Sequence, residues 1–135
     1  MLSFRSQLLR ALLAAPFAPG LAACSPDAQE ASCAVEVGAT VVTATSAGSG
    51  KVGTPVPVTY VVSIGDGCGK FQQLREQREG NKVYLVPIVR YEGCTCPQVV
   101  SEYQGTYQFT ATQPGQYVLL FPNPTRAVAD TITIQ

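Results

Sequence analysis

Val56-Pro57-Val58-Thr59-Tyr60-Val61-Val62-Ser63-Ile64 is a strand written in the sequence. Val56, Val58, Tyr60, Val62 and Ile64 fall on every second position. Side chains of an extended chain alternate between faces, so this period buries one face and leaves the other wet. Pro55 and Pro57 place the start of the strand at an edge or leave it unpaired, because proline has no N–H for a ladder. Working outward, Gly65-Asp66-Gly67-Cys68-Gly69 forms a tight turn. Phe71 to Gln77 is a third strand, although Lys70 to Glu79 also suits a short polar helix. Gly80-Asn81 ends it. Val83 to Tyr91 is nearly continuous in apolar residues, which predicts a strand covered on both faces. Glu92 to Pro97 is a cysteine-bearing loop. Tyr103, Tyr107 and Phe109 mark the next strand, and Pro114-Gly115 the next turn. Tyr117, Leu119 and Phe121 alternate on a further strand. Pro122 to Thr125 turns, and Ile132 and Ile134 close the chain. Upstream, Val35 to Ala44 is a first strand with Gly38 at a bulge, and Ser46 to Gly53 is a Gly/Ser loop.

About seven short strands in roughly 100 residues, with frequent turn signals, predict an all-β, antiparallel β-sandwich of Ig-like pattern. Gly115-Gln116-Tyr117 resembles the tyrosine corner of such folds, in which the Tyr hydroxyl ties back to nearby backbone. The chain has no Trp, and Leu119 stands where immunoglobulin domains carry the second cysteine of their inter-sheet bridge. The resemblance is therefore to Ig-like or fibronectin-like domains of envelope proteins. It spans residues 34–135 and carries no functional residues across.

The amino terminus has its own signal. Arg5 and Arg10 precede an apolar run, interrupted by Pro16, Pro19 and Gly20, that ends at Leu21-Ala22-Ala23-Cys24. A basic start, a short apolar stretch and small residues at the cut make a secretory signal. The run falls short of the about 20 residues a spanning helix needs. Ordinary signal-peptidase cleavage after Ala23 would meet a poorly suited Leu21. The stretch instead resembles the lipobox of bacterial envelope lipoproteins. That resemblance implies a diacylglycerol on the thiol of Cys24, removal of residues 1–23 and a membrane anchor. Ser25 is not the Asp that retains such proteins in an inner membrane, which implies the outer membrane. Residues 24–33 form the lipidated tether, with Asp27 and Glu30 in a solvated acidic linker.

Without residues 1–23 about 112 residues remain, enough for one domain. The whole chain is formally neutral, with 9 basic and 9 acidic residues. Loss of Arg5 and Arg10 leaves it slightly acidic, and no basic patch predicts a nucleic-acid partner. The chain contains no His. Ser-His and Cys-His nucleophiles and His-based zinc sites are thereby excluded. No catalytic constellation, cofactor or metal site is expected.

Five cysteines become four once Cys24 is set aside for lipid. Cys33, Cys68, Cys94 and Cys96 then make two disulfides in an oxidising compartment. A Cys94–Cys96 bridge would close a very small ring, so each reaches a different partner. Either Cys68–Cys94 with Cys33–Cys96, or the swap, staples the first strand to two loops. The competing chemistry is thiol-based: Cys68, Cys94 and Cys96 as soft ligands for Cu(I) or Zn(II), or Cys94-Thr95-Cys96 as a redox pair. No Lys, Arg or helix start adjoins the pair to activate a thiol.

Other motifs carry less. Gly48-Ser49-Gly50-Lys51 lacks the phosphate-loop spacing, with Thr45 and Val52 at the required Gly and Ser/Thr positions. Arg75 to Glu79 is a solvated charged segment or a contact surface. Tyr84, Tyr91, Tyr103 and Tyr107 are either half-buried packing residues or anchors for a protein or glycan. Asp66, Glu92 and Glu102 lie near the cysteine turns, and acid–base work would need two of them close together. The sum is a lipid-anchored, non-catalytic envelope module that binds a protein or glycan or serves a structural role. A hydrolase inhibitor is one variant, since a stapled loop is pre-organised.

Overall fold

The computed structural model describes residues 33–135. The signal segment, Cys24 and the tether as far as Ser32 lie outside the described residues. Nine strands follow in order: β1 (Ala34–Gly38), β2 (Thr40–Ser46), β3 (Ser49–Gly50), β4 (Val56–Ile64), β5 (Gly69–Glu79), β6 (Lys82–Glu92), β7 (Ser101–Phe109), β8 (Gly115–Phe121) and β9 (Val128–Ile134). They make a β-sandwich. One sheet runs β2-β4-β7; the other runs β1-β6-β8-β9-β3, with β5 also on β6. Pairing is antiparallel except for two short parallel ladders, β6 with β8 and β3 with β9.

β4 behaves as its alternation requires. Val56, Val58, Tyr60, Val62 and Ile64 are all buried, while Pro57 is exposed. It is the middle strand of its sheet, yet the β2 ladder stops at Val58, so Pro57 is unpaired on that side. From the facing sheet, Val83, Leu85, Val89, Leu119 and Ile132 complete the core, each fully buried. Burying such a side chain contributes roughly 1.5–3 kcal/mol. Phe109 and Phe121 fill the core from β7 and β8. Gly105 lets β7 pass beneath Tyr60, since a Cβ there would lie 2.5 Å from the ring.

The expected seven strands become nine for two reasons. Val35 to Ala44 is not one bulged strand. The chain changes sheets at Ala39, whose N–H bonds Pro87 O at 2.8 Å, so β1 pairs β6 while β2 pairs β4. The bulge lies later, between Val41 and Thr43. The Ser46–Gly53 loop also contains β3, which reaches β9.

Two further expectations are resolved. Residues 69–79 form an eleven-residue strand, not a helix. Val83 to Tyr91 is covered fully on one face only. Tyr84 and Val86 are partly exposed on the outer side, beside Arg75 and Gln77 of β5. Tyr117 forms the corner bond, its hydroxyl donating to Gln113 O at 3.1 Å.

Candidate functional site

The described cysteines gather at one end of the sandwich. Cys33 bonds Cys94 and Cys68 bonds Cys96, with Cα–Cα distances of 5.0 and 5.5 Å. This is the swap among the two expected pairings. It ties the start of β1, the β4–β5 turn and the β6–β7 connection into one unit. Backbone bonds reinforce it: Gly67 N to Pro97 O at 2.9 Å and Gly93 N to Cys33 O at 2.8 Å. Asp66 caps the turn, its Oδ1 accepting from Cys68 N at 2.9 Å. Gly93 has φ 143° and sits so tightly that a Cβ would lie 2.9 Å from Cys68 Sγ. Only glycine combines that backbone with that approach.

Beside the staples lies a shallow groove of about 610 Å³, lined by Cys33, Val35, Val37, Asp66, Tyr91 and Cys96. Tyr91 shapes it by accepting a bond from Gly65 N at 3.1 Å. Asp66, Cys68 and Cys96 bring an oxygen and two sulfurs within 4.8 Å of one another. Both sulfurs are committed to the same disulfide, so in this oxidised form the group offers no thiolate. The Cys68, Cys94 and Cys96 thiol set would exist only after reduction. Of the other acids, Glu92 pairs with Arg90 at 2.6 Å, and Glu102 is an exposed β7 residue opposite Ser63.

The predicted aromatic and charged surface separates into two parts. Tyr103 and Tyr107 are packing residues at a flank where β5 and β7 meet. Tyr103 stacks on Phe71, ring centroids 4.1 Å apart. The Tyr107 hydroxyl donates to Glu76 Oε2 at 2.6 Å, and Arg78 pairs with Glu76 and lies 5.4 Å over the Phe109 ring. Arg78 also donates to Thr110 O at 3.0 Å. Burial pushes the Tyr107 hydroxyl up, and its bond to Glu76 adds to this, giving a pKa of about 12. Burial alone would raise Glu76, but the bonds from Tyr107 and Arg78 and the charge of Arg78 outweigh it and hold the carboxyl below its ordinary value. Arg75 lies on the outer face of β5, opposite Val86, and reaches Glu36 at 3.7 Å. Tyr84 and Tyr91 remain partly exposed.

The sequence reasoning missed Asn123. Its amide brackets Val41, accepting from Val41 N at 3.0 Å and donating to Val41 O at 2.8 Å beside the β2 bulge. An Asn between two prolines reads only as a turn, so no local pattern could have pointed across to β2.

Fold and staples together define a small β-sandwich domain braced by two disulfides at one end. The chain belongs to the ORF11 beta-sandwich domain family, whose model matches residues 58–134. The match runs from β4 to the end of β9 and includes Cys68, Cys94 and Cys96, but not Cys33. No curated protein and no solved structure matches the chain.

Proposed function

We propose that this chain is a lipid-anchored protein of a bacterial envelope, held through Cys24 in the outer membrane, whose sandwich is a non-catalytic binding or structural module. One observation carries the proposal. Two disulfides use Cys33, Cys94, Cys68 and Cys96, and the single cysteine left is the one in Leu21-Ala22-Ala23-Cys24. The disulfides favour an oxidising compartment. The lack of His removes the commonest general base, which supports a role in binding over one in catalysis. A rigid scaffold with stabilised loops suits recognition of a protein or glycan.

The test is the intact mass of protein taken from membranes, before and after reduction and thiol alkylation. The expected result is acylated Cys24 as the first residue, no reactive thiol before reduction and four after it. An unacylated Cys24 would remove the anchor. Two or three thiols reacting without reductant would turn the proposal towards metal binding or redox exchange at Cys68, Cys94 and Cys96.

A further inference from the structure

Six large apolar residues are conspicuously exposed among the described residues: Val35, Val37, Val42, Val52, Val99 and Val100. Four of them surround the stapled end. Val35 and Val37 line the groove with Cys33 and Cys96. Val99 and Val100, 58% and 68% exposed, follow Pro97 in the loop held by Cys68–Cys96. Exposed apolar residues grouped at one end of a domain mark a contact surface more often than residues scattered singly do.

Chain length limits what can lie opposite this surface. Eight residues separate Cys24 from Cys33. Fully extended, they span about 30 Å; as a flexible coil their root-mean-square reach is about 17 Å. If Cys24 carries lipid, Cys33 at the stapled end is therefore held within about 30 Å of the membrane. The opposite end, with the β5–β6 turn and the carboxyl-terminal Gln135, stands the length of β6 further out, about 35 Å.

We propose that the stapled end rests on the bilayer, with Val35, Val37, Val99 and Val100 in the lipid interface. This inference rests on the lipid anchor at Cys24 proposed above. The contact is apolar and not electrostatic. Arg90 at this end is paired with Glu92 and Glu36, and the charge of Lys70 also acts on Glu92. Four valines would hold a free domain poorly. The anchor changes that by keeping the surface at high effective concentration next to the lipid. Seated this way, the protein turns its far loops, residues 51–55 and 110–114, towards any partner, and the stapled loops away from it.

The chain has no Trp, so one introduced Trp is a unique reporter. Val100→Trp places it at the stapled end and Val52→Trp at the far end, both at exposed positions. Each lipoprotein is purified from membranes, its acylation checked by mass, and reconstituted into phosphatidylcholine vesicles with part of the lipid brominated on its acyl chains. Shallow interfacial seating predicts at least roughly twofold stronger quenching of Val100→Trp than of Val52→Trp, unchanged by added salt. Equal quenching, or stronger quenching of Val52→Trp, in acylated protein overturns the seating and leaves the anchor standing. Protein without acyl chains fails earlier, at the anchor itself. Should Val100→Trp not form both disulfides, Val35→Trp reports on the same surface.

Discussion

The two ends of this sandwich are closed by different chemistry. At one end, covalent bonds join β1, the β4–β5 turn and the β6–β7 connection. At the other, single hydrogen bonds suffice: Gly53 N to Ala111 O at 2.9 Å, Val52 N to Gln135 O at 3.1 Å, and the Asn81 amide to Gln116 O at 3.0 Å. The difference follows from the connections. Gly80-Asn81 is a two-residue turn with Gly80 at φ 59°, a conformation that closes a hairpin without outside help. Residues 93–100 contain no strand and have few backbone partners of their own. Sulfur fixes what backbone pairing leaves loose there.

The contrast can be broken from the covalent side first. Replacing Cys33 and Cys94 by Ser removes a link across 61 residues, and loop-entropy reasoning predicts a loss on the order of 4 kcal/mol. The same change at Cys68 and Cys96, 28 residues apart, should cost about 3.5 kcal/mol. Urea unfolding of the two double variants checks both values. Losses below about 1 kcal/mol would make the staples incidental. Gly93→Ala comes next. Its Cβ collides with Cys68 Sγ at a positive φ, and a loss of about 2 kcal/mol is expected. Slower reoxidation of the Cys68–Cys96 bridge should accompany it.

At the hydrogen-bonded end the effects should be smaller. Asn81→Ala and Tyr117→Phe each remove one bond to a backbone carbonyl and should each cost about 1 kcal/mol. If either approached the effect of losing a disulfide, the division between the ends would not hold.

The smallest effect at neutral pH is expected at the flank. Tyr107→Phe breaks the bond to a partly exposed Glu76, so its cost near pH 7 should stay below about 1 kcal/mol. The pH profile is more diagnostic. Folding holds the Tyr107 proton up to about pH 12, against an ordinary value of 10.0. Its contribution is complete below the ordinary value and declines as pH rises through the folded one. Glu76 has the opposite sign: its lowered pKa stabilises above the ordinary value and is lost as pH falls through the folded value. Tyr107→Phe should flatten the alkaline decline in denaturant titrations and weaken the acid one.

What was legible in the sequence was what alternation encodes. β4, β8 and the inward residues of β9 could be read because buried and exposed positions differ in polarity. The sheet crossing at Ala39 could not. Alternation runs on through Val35 to Ala44, and a change of partner leaves no mark in polarity. β3 was hidden because its pairing uses only backbone. β5 was ambiguous for a physical reason: it is an edge strand with polar residues on both faces, and Glu76 and Arg78 are turned inward to Tyr107. In the candidate site, the cysteine arithmetic limited the pairings to two. The choice between them depended on which sulfur each loop brings to β1, and spacing does not contain that.

The Cys33–Cys94 bridge also has a mechanical consequence. Tension applied to the amino-terminal residues enters the described domain at Cys33, one residue before β1. Without the bridge it would fall on the five-residue β1–β6 ladder, which can open one pair at a time from that end. With it, force passes across the sulfur bond to Cys94, just beyond the carboxyl end of β6 at the same end of the sandwich, and bypasses β1. The strand at the point of attachment is thus shielded from the load.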